Sequence, residues 1–270
     1  MENTKQYMPN PQLVKLYNAD GVEIPKFRGI IDSGKVIINE ENQEVHEEPF
    51  AIVTEEYTIT THESMLQLID DVVAGMPEYG TPTKSIETFD RGGKMKAEII
   101  FPEVEVMVAG DILHPRISAF NSYDTYWKRR IEEGAFRVVC TNGLMIGEKN
   151  FEYSAKHTSE MDAKQLKFLI TGAMEAFSDR TELWKTWVNK VIGEQEQEQI
   201  LKRVAPFTKT DINLINQEVE ISTGAMAQQH QTLTLWIFYN ILCQYISHRI
   251  TSHLKKVKVE ASMRNVFRNM

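Results

Sequence analysis

The segment SIETFDRGGKMKAEIIF, residues 85–101, decides the fold class of the first half of the chain. Two runs that favour extended structure, residues 85–90 and 94–101, flank the tight-turn sequence Arg91-Gly92-Gly93. Because glycine adopts positive φ angles without steric cost, this arrangement predicts a β-hairpin. We therefore expect an antiparallel sheet that is built around these two strands.

The residues on either side of this hairpin predict one helix and more strands. Thr60 and Glu63 match the capping-box pattern, in which a Thr side chain and a Glu three residues later satisfy free N–H groups of a first helical turn. Apolar residues at helical spacing follow, and Gly75 and Pro77 end the pattern. The other predicted strands are residues 12–17, 35–38, 56–60, 104–109 and 116–120.

From about residue 160 the sequence has helical periodicity. Residues 161–191 predict one long helix or two joined near residues 177–180, because apolar residues recur along one face. The run GEQEQEQ at residues 193–199 is compatible with a linker or with a helix start. Asp211 is expected to cap a helix that reaches about residue 222, and residues 231–258 predict a last long helix.

The order of these elements is typical of an α+β fold rather than of alternating strands and helices. We expect a β-rich N-terminal half, mainly an antiparallel sheet with hairpins and one or two helices, followed by a helical C-terminal half. The predicted boundaries are residues 1–158 for the β-rich domain and 159–270 for the helical region with its tail. One continuous domain is the alternative.

The segment that joins the two halves, residues 125–147, predicts a short helix and then a hairpin. Residues 125–133 have the composition of a short basic helix that Gly134 would stop. A β-branched strand then leads into Asn142 and Gly143, the strongest two-residue hairpin turn in the chain. We assign Asn142 and Gly143 a structural role, because both tolerate the positive φ angles of such a turn.

Composition points to an intracellular protein that does not span a membrane. No apolar run approaches the roughly 18 residues that a membrane helix needs, and the N-terminus lacks the pattern of a secretory signal. Cys140 and Cys243 lie in apolar surroundings, as buried thiols of a reducing compartment do. A cytoplasmic location follows, and Cys140 is interpreted as structural; the alternative is that it is a nucleophile.

Two strings near the middle of the chain carry a resemblance to a known family. Asn121-Ser-Tyr-Asp124, followed by Gly134 and then RVVCTNGL at residues 137–144, resembles the phage- and plasmid-like proteins grouped as domain of unknown function 932. The early Tyr57 segment, the Gly-Gly hairpin and the segment TLTLWIFYNILCQYISH at residues 232–248 are similar in order and spacing. This chain departs from the pattern at Thr125, where the family often has a glycine.

The resemblance spans about residues 50–250. It implies a mobile-element origin, most simply a phage, and therefore the cytoplasm of the host cell. It implies no activity, because the family is defined without one.

Aromatic and basic side chains alternate immediately before the family string. Single-stranded nucleic acid needs such a mixture, because rings stack on bases and cations neutralise phosphates. A short amphipathic helix with its aromatic residues in the core would have the same composition. The candidate residues for nucleic-acid binding in this segment are Tyr123, Tyr126, Trp127, Lys128, Arg129, Arg130 and Arg137.

The last residues of the chain have a charge opposite to that of the rest. Residues 249–270 contain six basic residues and one acidic residue, whereas residues 1–248 contain 24 basic and 37 acidic residues. Lys255, Lys256 and Lys258 are therefore further candidates for contact with an anionic partner. A solvated helix end, where cations favour the helix dipole, is the other interpretation.

The helix predicted near the C-terminus also carries polar residues beside aromatic ones. Asn240 and His248 are interpreted as members of a core network that fixes the helix register. The alternative is that they line a pocket. The sequence has no CxxC, HExxH, Walker A or GxGxxG pattern, so no metal or cofactor is expected and no catalytic residue is assigned.

Three hypotheses of function follow. The first is a non-enzymatic phage protein of DNA metabolism that binds single-stranded DNA, for annealing or protection, and forms homo-oligomers. The second is a counter-defence or host-takeover protein whose acidic body binds a host protein. The third is an enzyme that uses Cys140 or the Asn240 and His248 stripe.

Overall fold

The computed structural model describes residues 7–38, 44–46, 48–137, 153–155, 162–228, 231–267 and 270. Antiparallel strands dominate the first half and helices the second, so the predicted α+β fold is confirmed. The strands are β1 (Pro11–Tyr17), β2 (Glu23–Asp32), β3 (Val36–Ile38), β4 (Glu44–His46), β5 (Ala51–Thr54), β6 (Thr83–Phe89), β7 (Lys94–Ile100), β8 (Val106–Val108), β9 (Asp111–Ser122), β10 (Arg129–Arg137) and β11 (Tyr153–Ala155). The helices are α1 (His62–Ala74), α2 (Ala163–Asn189), α3 (Glu194–Arg203), α4 (Lys209–Gln228), α5 (Leu235–Arg249) and α6 (His253–Phe267).

The hairpin predicted at residues 85–101 is confirmed as β6 and β7. Phe89 pairs with Lys94, and Asp90, Arg91 and Gly92 in the turn between them have positive φ angles. The central sheet has the order β11-β10-β9-β7-β6, and β8 pairs with the start of β9. The strands predicted at residues 104–109 and 116–120 are thus confirmed as a shorter β8 and a longer β9.

The short helix predicted at residues 125–133 is wrong. Residues 125–128 belong to a turn, and β10 then pairs antiparallel with β9 from Arg130, opposite Phe120, to Arg137, opposite Leu113. Gly134 lies inside the strand, opposite Arg116. The edge of β9 offers this segment a complete set of backbone partners, and such tertiary context overrides a local pattern of helical spacing.

The two faces of the central sheet differ in chemistry. Met95, Ala97 and Ile99 of β7 point towards α1 and α2, with which they form one apolar core. The opposite face carries Lys94, Lys96 and Glu98 of the same strand. Helix α6 contacts this face, because Lys96 forms an ion pair with Glu260 and Glu132 of β10 forms one with Arg264.

Helix α1 begins one residue later than the sequence predicts. Thr61 is its cap, because Thr61 Oγ1 accepts a hydrogen bond from the Ser64 N–H at 3.0 Å. Thr60 instead accepts two hydrogen bonds. Its carbonyl accepts from the Asn121 side-chain nitrogen, and its hydroxyl oxygen accepts from the Arg129 guanidinium. The strand predicted at residues 56–60 is also wrong, because β5 ends at Thr54 and the intervening residues lead into the helix.

The helical half begins as predicted and differs near its end. The segment predicted at residues 161–191 contains one continuous helix, α2 (Ala163–Asn189), and the run at residues 193–199 starts α3. Helix α4 begins at Lys209, so Asp211 lies in its first turn, where Asp211 Oδ2 accepts from the Thr208 N–H at 2.6 Å.

The single helix predicted at residues 231–258 is wrong, because α5 and α6 are separate. Ile250 has extended backbone, and Ser252 Oγ accepts from the Lys255 N–H at 3.3 Å. The chain therefore leaves α5 and starts a new helix with its own serine cap.

The first residues form a small sheet with the order β1-β2-β5, and β3 pairs with β4. The strands predicted at residues 12–17 and 35–38 are thereby confirmed. The β1-β2-β5 sheet leaves several large apolar side chains exposed, among them Tyr17, Phe27 and Ile52.

Candidate nucleic-acid interface

The turn between β9 and β10 is built by the polar residues of the Asn121-Ser-Tyr-Asp124 string. Ser122 Oγ accepts from the Trp127 N–H at 3.0 Å and donates to the Trp127 carbonyl at 3.1 Å, so one side chain closes the turn. Asp124 Oδ1 accepts from the Tyr126 N–H at 3.0 Å. The other oxygen of Asp124 forms an ion pair with Lys94 of β7.

Thr125 has a φ angle of 60°, in the left-handed region. This conformation is uncommon for any residue other than glycine, and more so for a β-branched one. Thr125 therefore stands where the similar sequences often have a glycine, and a glycine would adopt this backbone conformation without strain.

Beneath the turn lies a buried group of polar residues centred on His62. His62 Nε2 is 2.9 Å from the Gly92 carbonyl, and His62 Nδ1 is 3.0 Å from the Asn121 side-chain nitrogen. We assign the proton to Nε2, because a carbonyl can only accept and an amide nitrogen can only donate. Burial lowers the pKa of His62 to about 4, although the Gly92 hydrogen bond acts to raise it, so the ring is neutral.

Tyr123 belongs to this buried group. Its ring stacks on the His62 ring at 4.2 Å between centroids, and its hydroxyl accepts from the His62 N–H at 2.7 Å. Only 1% of Tyr123 is exposed. Tyr123 therefore joins the turn to the start of α1, which is a structural task that differs from the predicted base stacking.

Trp127 and Arg129 are also in the interior. Trp127 is 6% exposed and contacts Phe120 edge-on, with 5.6 Å between centroids. Arg129 is 1% exposed and donates to Thr60 Oγ1 at 2.7 Å. In this conformation neither side chain can reach a nucleic acid, because Trp127 packs with Phe120 and Val257 of α6, and Arg129 lies against Thr60 just before α1.

Tyr126 is the aromatic residue of the predicted cluster that faces solvent. It is 51% exposed, and the ammonium groups of Lys94 and Lys258 lie 5.1 Å and 5.5 Å from its ring centroid. Lys128 is exposed two residues further along the chain, and Arg91 is exposed in the adjacent β6–β7 turn. We call Arg91, Tyr126, Lys128 and Lys258, together with the buried Lys94 at the Tyr126 ring, the tip surface.

Lys94 of the tip surface is held in place by two carboxylates. Burial alone would lower the pKa of Lys94, but Asp124 and Asp90 raise it, so the ammonium stays charged. The sequence predicted Tyr126, Lys128 and Lys258 as candidates. It missed Arg91 and Lys94, although the β6–β7 hairpin was recognised, because only strand pairing brings the two turns to the same end of the sheet.

Three of the other basic candidates, Lys255, Lys256 and Arg130, have partners within the protein. Lys255 forms an ion pair with Asp211 at 2.6 Å, and Lys256 donates to the Ser247 carbonyl at 3.1 Å. Arg130 lies over the Phe120 ring and forms an ion pair with Glu132 at 2.8 Å. Arg137 is at the end of β10, and its side chain lies outside the described part of the structure, as do Cys140, Asn142 and Gly143.

The polar stripe of α5 is divided between two clefts. Asn240 lines a cleft of about 600 Å³ near Asp111, and His248 lines a neighbouring one of about 230 Å³ beside Glu218. Cys243, which lies between Asn240 and His248 in the sequence, is buried. Within the described residues, no group of three His, Cys, Asp or Glu side chains could hold a metal ion.

A charged network on the α6 side of the sheet is a second feature that sequence reasoning missed. Arg116 is 2.9 Å from Glu98, which is 3.0 Å from Lys96. Burial alone would raise the pKa of Glu98, but Arg116 and Lys96 lower it to about 2. In the sequence, the alternation of Lys94, Lys96 and Glu98 with apolar residues is typical of a strand with one solvent-exposed face. In the structure, α6 covers that face, so these charged side chains need partners within the protein.

Comparison with known proteins places the chain in a family and goes no further. No curated protein matches it, and no solved structure does. None of the helices in the described ranges has the length and apolarity to cross a membrane. The model of the family described as Domain of unknown function (DUF932) matches residues 49–268, which include the β9–β10 turn and the whole tip surface. The chain therefore belongs to the DUF932 family, as its sequence strings indicate.

Proposed function

We propose that this protein binds single-stranded DNA at the tip surface, without catalysis, as an annealing or protective factor. The observation that carries the proposal is Tyr126, a half-exposed ring with the ammonium groups of Lys94 and Lys258 near it. Lys128 is exposed two residues further along the chain, and Arg91 is exposed in the adjacent turn, where it lies over the Phe50 ring. An exposed ring stacks on a base whatever its sequence, at about 1–3 kcal/mol per base. The exposed cations Arg91, Lys128 and Lys258 would supply the phosphate contacts.

The overall charge favours contact between DNA and the tip surface rather than the rest of the protein. Residues 1–248 carry an excess of acidic side chains, which repel a DNA backbone from most of the surface. A strand would approach the tip surface, where Lys258 brings a cation of the basic tail to the turn residues. Assembly of several copies along one strand, a phage source and a cytoplasmic location are further parts of this proposal.

The direct test replaces the ring. Tyr126→Ala should weaken binding of a labelled oligothymidine by at least about tenfold in fluorescence anisotropy at low salt, since the stacking contribution is lost. Tyr17→Ala is the matched control, because Tyr17 is 58% exposed and belongs to the β1-β2-β5 sheet. Equal affinities for the two variants, or no binding by the unmodified protein, would reject the proposal.

A second candidate, a protein partner with a basic surface, has one specific observation in its favour. Helices α3 and α4 border a groove of about 520 Å³ that Glu194, Glu198 and Glu220 line. Acidic side chains in a groove favour a cationic segment of a partner. A purified complex that survives nuclease treatment and is lost when the three glutamates become glutamine would support this candidate in place of the first.

A further inference from the structure

One face of the β1-β2-β5 sheet concentrates the exposed apolar side chains of this protein. Of the large apolar side chains that are exposed in the described residues, more than half lie between residues 7 and 52. Ile52 of β5 is 63% exposed, and Phe27 of β2 is 45% exposed. Single exposed apolar residues are ordinary, whereas a cluster of them marks an interaction surface.

Strand pairing and the surroundings of Gly29 place these side chains on the same face. Gly29 pairs with Val14 of β1 on one side and with Ile52 of β5 on the other. A Cβ atom at Gly29 would lie 3.1 Å from Leu16 Cδ2 and 3.4 Å from Val14 Cγ2. Phe27 is two residues from Gly29 along β2, and strand alternation therefore directs it to the same side. We call this side of the sheet the outer face.

The charged side chains of these strands lie on the opposite face. Lys15 and Arg28 are paired across β1 and β2, and both form ion pairs with Glu23. The same face carries Ile30, which packs with Tyr123. The residues that strand pairing places on the outer face are all uncharged: Gln12, Val14, Phe27, Gly29, Ile31, Ile52 and Thr54.

The charge of the whole molecule indicates what covers the outer face. Each copy of the chain carries a net charge of −8, so two copies repel each other over most of their surfaces. The outer face has no charge that repels a second copy, and none that attracts a partner of opposite charge. Two such faces fit each other, because a two-fold contact joins identical patches and sheets pack face to face at about 10 Å.

We propose that a second copy of this chain packs on the outer face, so that two β1-β2-β5 sheets form a two-fold symmetric sandwich. Few side chains are exposed there, so the contact should bury less than about 1,200 Å² in total, as weak and reversible interfaces do. Strands β1 and β2 precede the segment that the family model matches, residues 49–268. The dimer needs no DNA, so it goes beyond binding at the tip surface and does not depend on it.

Sedimentation equilibrium of the full chain tests the proposal. A dilution series should show a monomer–dimer equilibrium with a dissociation constant on the order of 10⁻⁵ M, as a small interface allows. Raising the salt from about 0.1 M to about 1 M should strengthen the dimer, because it screens the repulsion between two acidic copies. A protein that stays monomeric throughout the series would overturn the proposal and leave the face to another partner. Assemblies that grow beyond a dimer would also overturn it, because a two-fold contact closes.

A charge placed in the outer face should separate the copies. Ile52→Lys should weaken the dimer at least about tenfold, because its ammonium group would be buried without a partner. Ile221→Lys is the matched control, since Ile221 is 69% exposed on α4 and the two replacements change the net charge equally. Equal effects of the two replacements would contradict the proposal.

A milder variant tests the same contact without adding a charge. Ile52→Thr keeps a β-branched side chain in β5, so its circular dichroism spectrum should match that of the unmodified protein. The variant should still weaken the dimer about threefold, because it removes apolar surface from the contact. An unchanged dissociation constant for this folded variant would overturn the assignment.

Failure of this proposal and failure of the tip-surface proposal give different results. Tyr126→Ala should dimerise as the unmodified protein does, because Tyr126 is not on the outer face. Monomeric Ile52→Thr should bind oligothymidine with unmodified affinity. Added salt should weaken DNA binding and strengthen the dimer, so a dimer that weakens with salt would contradict an apolar contact.

Discussion

At the scale of single residues, the β9–β10 turn contains a threonine in a conformation that favours glycine. Thr125 has a φ angle of 60°. Thr125→Gly should raise the free energy of unfolding by about 1 kcal/mol, because relief of left-handed strain exceeds the added freedom of the unfolded chain. Urea denaturation measures the change, and Thr54→Gly, in ordinary strand β5, should instead destabilise. A loss of stability in Thr125→Gly would show that the turn is not strained.

His62 gives a second prediction at this scale. Burial lowers its pKa to about 4, whereas an unfolded chain has a histidine pKa near 6.5. Between these values the unfolded state binds more protons, so stability is complete above about pH 6.5 and falls as the pH approaches 4. The shift corresponds to about 3 kcal/mol.

The measurement is urea unfolding at pH 7.5 and at pH 4.5. The unmodified protein should lose stability between the two, and His62→Gln should lose about 2 kcal/mol less, because glutamine does not titrate. The comparison uses the difference between pH values, so any cost of the substitution itself cancels. Equal losses in both proteins would contradict a neutral, buried His62.

At the scale of elements, the β6–β7 hairpin could be predicted from the sequence, whereas the start of strand β10 could not. The β6–β7 hairpin was predictable, because its Arg91-Gly92-Gly93 turn signal is local. The segment at residues 125–133 was not, because its conformation depends on the edge of β9, which is defined only once β7 has paired with β9. The predicted site changed for the same reason: Tyr126 stays exposed in the turn, while Trp127 and Arg129 enter the core.

Helix α6 is attached to the sheet through buried charges, and this leads to a prediction for the element. Arg264→Leu should cost about 3 kcal/mol in unfolding free energy, because it removes one partner of the buried Glu132 carboxylate. Combining it with Glu132→Leu should recover part of that loss. Lys202→Leu, which removes an exposed ion pair with Glu198, is the control and should change stability by less than about 1 kcal/mol. A similar small effect for Arg264→Leu would contradict a buried, stabilised pair.

At the scale of the whole molecule, the basic tail contacts the acidic body at particular residues. Residues 1–248 are strongly acidic, yet Lys94 from that part and Lys258 of the tail both lie near the Tyr126 ring. Sequence composition could predict the acidic body and the basic tail. It could not predict which cations would be neutralised inside the protein, because pairs such as Lys255 with Asp211 join residues far apart in the chain.

The salt dependence of oligonucleotide binding tests the central claim most directly. With three exposed cations at the tip surface, a plot of log affinity against log salt should have a slope of about −2 for single-stranded DNA. Replacing both Lys128 and Lys258 with glutamine should reduce the slope to about −0.7, whereas Lys209→Gln, at the exposed start of α4, should leave it unchanged. No binding at low salt, or a slope that the double replacement does not change, would contradict the account.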